Sequence, residues 1–168
     1  MNNILFSSNK EDWATPLDVF NTINMKYKCT LDVCCNIENK KCDRYFTIED
    51  DGLKQSWKTS NNEYAFCNPP YGRKIVNWFK KAIEEFKNNN QSVFLVPNRT
   101  DTKWFHNYVL PNVSYIYLVN SRIKFLLGNN QMYSSTFPSV VLVFSNERKA
   151  KTPIFGIFDY KKGIIKEL

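Results

Sequence analysis

Residues 64–96 constrain the fold more tightly than any other stretch of this chain. YAFC, at 64–67, is a short apolar run stopped by Pro69 and Pro70. Ile75, Val76, Phe79, Ala82, Ile83 and Phe86 then recur at three- and four-residue spacing, while Lys74, Lys80, Lys81, Glu84 and Lys87 take most of the other positions. That is the apolar stripe and charged outer face of one helix over about 73–88. Ser92 to Val96 follows as a second β-rich apolar run. Two strands joined through a helix return parallel to one another.

The rest of the chain extends this pattern. Thr15-Pro16 supplies an N-cap and a first-turn proline for a helix over 16–26. CTLDVC at 29–34 reads as a buried strand. A helix over 101–109, opened by Thr100 or Asp101, and strands over 113–119, 139–144 and 153–158 complete the series, with a hairpin strand near 122–126. The expected class is α/β: a mostly parallel sheet covered on both faces, with an antiparallel element near the C-terminus. Ligands of such sheets sit beyond the carboxyl ends of the strands, which directs attention to the loops after 34, 67 and 96.

Length and composition set the outer bounds. The 168 residues are one domain's worth of chain, and 43% hydrophobic with 15% aromatic content excludes a disordered or fibrous polymer. No apolar run reaches the roughly 18 residues of a bilayer crossing, and MNNILFSSNKEDW is no secretion signal, so a cytoplasmic protein without a membrane is expected. Five cysteines, two of them adjacent at Cys34 and Cys35, suit a reducing compartment. Their spacings lack metal-ligand character, so no metal is expected. Charge is unevenly placed. Residues 1–53 carry 6 basic and 9 acidic side chains, whereas 54–168 carry 17 and 7, a net of +10. A basic half lowers the free energy of approach to a polyanion by releasing its counterions, although it also describes an ordinary solvated surface.

The loop after the second strand is Asn68-Pro69-Pro70-Tyr71. Two prolines stiffen it and remove two amide donors, leaving carbonyls as acceptors. Asn68 adds a side-chain carbonyl and Tyr71 an aromatic face. Acceptors beside a stacking platform suit a planar group bearing an NH2; a proline-rich strand exit with Tyr71 packed on the core is the plainer alternative.

NPPY resembles the catalytic motif of the S-adenosylmethionine-dependent amino-group methyltransferases, in which Asp, Asn or Ser precedes Pro-Pro and an aromatic residue. In order along the chain stand Trp13 with Thr15-Pro16, LDVCCN (31–36), CDRYFTIEDDGLKQSW (42–57), FCNPPYG (66–72), WFKKA (78–82), FLVPNRTDTKWFH (94–106), RIKF (122–125) and FPSVVLVF (137–144). Over residues 13–144 this series resembles the phage-type DNA adenine-N6 methyltransferases. The resemblance implies a Rossmann-like methyltransferase fold of reduced size with an antiparallel C-terminal hairpin, S-adenosyl-L-methionine as cofactor and double-stranded DNA as partner. It implies that a flipped adenine offers its amine to the Asn68 side chain and the Pro69 carbonyl, with Pro70 shaping the loop and Tyr71 stacked on the ring. Asp32, Val33 and Cys34 fall on the cofactor strand and its turn, where the glycine usual in the wider class is absent and small cysteines stand instead. One of Glu49, Asp50 and Asp51 is a further carboxylate for the cofactor's adenine amine or ribose, an exposed acidic turn being the plainer alternative, and Trp13, Thr15 and Pro16 resemble the segment that closes over its methionine end. Plain structural roles remain open for Asp32 as a strand-end cap and for Trp13 as a core residue.

Arg73, Arg99, Lys103, Arg122 and Lys124 are the candidate DNA contacts. Arg122 and Lys124 alternate with Ile123 and Phe125, which puts both cations on one face of a strand. His106 reads as a surface residue. The chain leaves little room for a separate recognition domain, so loops, the 122–136 insertion, a partner or an accessory protein must read the target; a monomer or weak homodimer is expected. Cytosine-N4 or glutamine-amide methylation, and a non-catalytic nucleic-acid-binding module on the same fold, are the competing readings.

Overall fold

A computed structural model describes residues 13–127, 131–147 and 152–168. In chain order it contains α1 (Leu17–Tyr27), β1 (Cys29–Asp32), β2 (Arg44–Tyr45), β3 (Tyr64–Cys67), α2 (Ile75–Lys87) and β4 (Gln91–Pro97). After a single π-helical turn at Phe105–Val109 come β5 (Tyr115–Val119), β6 (Lys124–Leu127), β7 (Gln131–Ser134), β8 (Ser139–Phe144), β9 (Ile154–Asp159) and β10 (Ile164–Glu167). Eight strands share one sheet in the order β10-β9-β5-β8-β4-β3-β1-β2, and β6-β7 form a separate hairpin.

Alternation along the strands sends side chains to two cores. Tyr64 and Phe66 face the cluster built on Val19, Phe20, Ile23 and Tyr27 of α1, while Ala65 and Cys67 face the one built on Ile75, Trp78, Phe79 and Ala82 of α2. The stripe foreseen over 73–88 is therefore the buried face of α2, and helices lie on both faces of the sheet as expected. β4 and β8 are buried along their whole length and form its centre.

The sheet is mixed: the expected parallel pairs and the antiparallel element near the C-terminus are present, and the antiparallel β8 at its centre is the departure from the expectation. β1-β2, β1-β3, β3-β4 and β5-β9 are parallel, but β8 inserts antiparallel between β4 and β5, and β10 is antiparallel to β9. After Ser139, β8 is apolar at every position because it is buried on both faces, so its sequence carries no mark of direction. The two-residue β2, β7 and β10 escape a reading based on apolar runs, being short or largely exposed.

Two local expectations also change. The 101–109 segment winds chiefly as the π-helical turn, with Leu110 N–H donating to Phe105 O at 2.9 Å, and Trp104 lies flat on Phe79 with ring centroids 5.0 Å apart. Tertiary packing here overrides the local helical pattern. At α1, Thr15 is not the N-cap and Pro16 is not the first helical residue: Pro16 holds the cap position in an extended conformation with no side-chain cap bond. The Thr15 hydroxyl is engaged elsewhere, by Asn68.

Candidate active site

The carboxyl ends of β1, β3, β4 and β5 emerge along one edge of the sheet, and the NPPY loop leaves β3 there. Asn68 is held by both ends of its amide. Its Nδ2 donates to Trp13 O at 2.5 Å and to Thr15 Oγ1 at 3.0 Å, and its Oδ1 accepts from the Tyr71 hydroxyl at 2.7 Å. Trp13 O can only accept, which orients the amide: NH2 toward the N-terminal segment, oxygen away from it. That oxygen keeps a second lone pair. The Tyr71 ring packs edge-on against Phe125 and Phe137, and Trp13 packs edge-on against the same two rings. The motif, the segment before α1 and the β6-β7 hairpin thus meet in one aromatic cluster, with Ala14 bridging to Leu126.

A cavity of about 570 Å³ opens beside Asn68, within the size range of small-molecule sites. Trp13, Thr15, Asp32, Val33, Cys34, Asp51, Asn68 and Pro70 line it. Pro16, Asp50, Pro69 and Tyr71 do not. Asp50 is exposed and accepts from Thr47 N–H at 2.8 Å and from the Thr47 hydroxyl at 2.9 Å, bonds that hold its carboxyl below the usual range.

Asp32 is both a cap and a cavity residue. Its Oδ1 accepts from Cys34 N–H at 3.3 Å and its Oδ2 from Lys41 N–H at 3.0 Å, closing the loop after β1. Burial pushes its carboxyl from 3.8 up to about 6, against those two amides, which lower it. The Cys35 thiol bonds to the same carboxylate, and of that carboxylate's four lone-pair sites one is left for a ligand's ammonium or hydroxyl group.

A family profile for DNA N-6-adenine-methyltransferase (Dam) matches residues 3–163. The chain belongs to this family. Among individual DNA N-6-adenine-methyltransferases, that of Haemophilus phage HP1 is 30% identical over 131 residues, which are 77% of this chain and 73% of that protein. That of Escherichia phage T1 is 37% identical over 94 residues, 55% of this chain but only 38% of the relative's length.

This adenine methyltransferase family member supplies from a distant loop the glycine missing after Asp32. Gly52 is buried and lines the cavity, and a Cβ there would stand 2.1 Å from the Val33 carbonyl oxygen. Its own carbonyl accepts from Trp57 Nε1 at 2.8 Å, and Trp57, fully buried, stacks on Trp78 of α2. The acidic loop is thereby pressed onto the end of β1. Its signal in the sequence, DDGL followed by a tryptophan, is legible only once the contact is known. Gly52→Ala should push this loop off Val33, lowering stability by about 1–3 kcal/mol as overpacking does. The midpoint of urea unfolding measures the loss; an unchanged midpoint would show that the loop yields freely.

Arg73, Arg99, Lys103, Arg122 and Lys124 are all exposed on loops and strand ends at or beside the NPPY edge, and none forms an ion pair with a described carboxylate. His106 is exposed, its Nε2 2.8 Å from Thr100 O. Glu49 of the acidic loop lines the cavity beside Asp51, and so do Lys41, Ile37 and Ile48, which were not singled out from sequence. No helix among the described residues is long and apolar enough to cross a membrane.

Proposed function

We propose that residues 1–168 form a single Rossmann-like methyltransferase domain that transfers a methyl group from S-adenosyl-L-methionine to the N6 amine of an adenine flipped out of double-stranded DNA. The observation that carries this reading is the orientation of Asn68, an amide pinned through its NH2 so that a carbonyl oxygen is offered beside a nucleoside-sized cavity.

The residues fit the cofactor chemically. Asp32 supplies an acceptor for the ammonium or ribose hydroxyls, and Trp13, Val33 and Pro70 supply apolar wall. Bound there, S-adenosyl-L-methionine offers an electrophilic methyl group. The adenine amine is a poor nucleophile because its lone pair is delocalised into the ring. Asn68 Oδ1 and the Pro69 carbonyl, accepting its two N–H bonds, favour a pyramidal nitrogen and stabilise the positive charge that develops on it. Fixed acceptors need no reorganisation during reaction, so the contribution is positioning and electrostatics. The surplus proton leaves to water.

Incubation of the protein with isotope-labelled cofactor and duplex DNA, followed by nucleoside mass spectrometry, tests the reading. Labelled N6-methyladenine is expected. Label on cytosine would redirect the substrate assignment, and cofactor binding without any transfer would favour a binding module.

If the basic half faces DNA, log affinity should fall with log salt at about −0.9 per phosphate contact. Arg99→Ala or Lys124→Ala should each reduce that slope by about one unit, whereas Lys28→Ala, in the acidic half, should leave it unchanged. Identical slopes for all three variants would mean that the exposed cations decorate the surface.

A further inference from the structure

Lys41 is the only lysine or arginine among the described residues that lines the cavity, whose other charged walls are Asp32, Glu38, Glu49 and Asp51. It lies at the end of the loop after β1. Its backbone N–H holds Asp32 Oδ2, yet its ammonium does not pair with that carboxylate: Nζ donates to Asn39 O at 2.8 Å, and no described carboxylate lies within 4.0 Å of it. An ammonium has three donors, so two remain. The side chain is half-buried, and desolvation pulls its proton affinity down while the Asp32 charge raises it. The Asp32 charge acts on this ammonium from beyond ion-pair distance, so its two remaining donors are left for a ligand that brings an anionic acceptor.

We infer that Lys41 binds the carboxylate of the cofactor's amino-acid tail while Asp32 takes its ammonium, so that the loop after β1 clamps a zwitterion between two opposite charges that do not form an ion pair with each other. This rests on the reading of the cavity as the S-adenosyl-L-methionine site. A point charge on a flexible stem suits a carboxylate whose position a short loop fixes only loosely. The arrangement also assigns a task to a loop that otherwise carries no regular structure between Cys34 and Asp43.

Calorimetric titration of the full chain with S-adenosyl-L-methionine and with its decarboxylated analogue tests the inference by binding alone. The parent should bind the carboxylate-bearing ligand about ten-fold or more tightly, the value of one charge-assisted hydrogen bond. Lys41→Met should weaken that ligand to within about two-fold of the analogue and leave the analogue's affinity unchanged, and Lys41→Arg should restore most of the preference. Equal losses for both ligands in Lys41→Met would mark a loop-shaping role and overturn the assignment, as would a parent that binds both ligands equally. A parent that binds neither would remove the reading of the cavity itself. Should Lys41→Met fail to fold, the parent's discrimination and the Lys41→Gln variant decide the question.

Discussion

Asn68→Ala is expected to lower methyl transfer by about 10²- to 10³-fold while cofactor affinity stays within a few-fold. Removing one preorganised hydrogen-bonding group of this kind commonly costs about 2.7–4 kcal/mol of transition-state stabilisation. The side chain acts on the target amine, so the loss belongs in turnover. Structure adds a second consequence. Asn68 Nδ2 ties Trp13 O and Thr15 Oγ1 to the motif, so the alanine variant also releases the segment before α1. Asn68→Asp separates the two effects, because it keeps acceptors for the amine but sets a carboxylate oxygen against Trp13 O. Single-turnover rates, with cofactor affinity measured by calorimetry, check both variants. Near-normal turnover in the alanine variant would sink the mechanism, and a loss of cofactor binding equal to the loss of rate would move Asn68 to the cofactor's side of the site.

Asp32→Asn should flatten the pH dependence of stability and weaken ligand affinity. The Asp32 carboxyl is raised from 3.8 to about 6 by burial. Between those values the folded state holds a proton that the unfolded state gives up, so this group's contribution is full below about pH 4 and is lost as pH rises to about 6. Two pH units correspond to about 3 kcal/mol. At pH 7 the ligand-free protein therefore carries an unfavourable buried charge; the asparagine variant, neutral at every pH, should lose this part of the pH dependence, while its NH2, set against one of the two amide donors of Cys34 and Lys41, offsets the gain in stability. The same charge is what an ammonium requires. Cofactor affinity should fall by about 1.5–3 kcal/mol in the variant, and in the parent it should weaken as pH falls below about 6. Thermal melts from pH 4 to 7, with calorimetry at the same values, read both arms. A variant that is less stable at pH 7 and binds as well as the parent would make Asp32 a loop cap and nothing more, held for its bonds to Cys34 and Lys41.

Much of this was legible from residue order. The α2 stripe emerged because a surface helix repeats its apolar contacts every three to four residues, and β3 because prolines end it. The NPPY loop and Asp32 stood out because polar groups that close an apolar run at a strand end have few structural reasons to be there. For Thr15 only the cap reading fails: threonine before proline is a cap pattern, but the hydroxyl goes to Asn68, 53 residues away in sequence, on the wall of the cavity. Gly52 and Lys41 gave no local signal, since each matters only through a contact with the loop after β1.

The sequence alone determined the identity of the two helices flanking the sheet, the strands that carry the site, and the chemistry of a rigid acceptor loop, because all of these follow from periodicity and backbone restrictions within a few residues. Tertiary structure decided the rest. Strand direction in β8, the conversion of the segment after β4 to a π-helical turn under Trp104, the pressing of Gly52 against Val33 and the seating of the Asn68 amide all depend on which surfaces meet. Those meetings are settled by burying two faces of one sheet at once, a condition that no local window of residues contains.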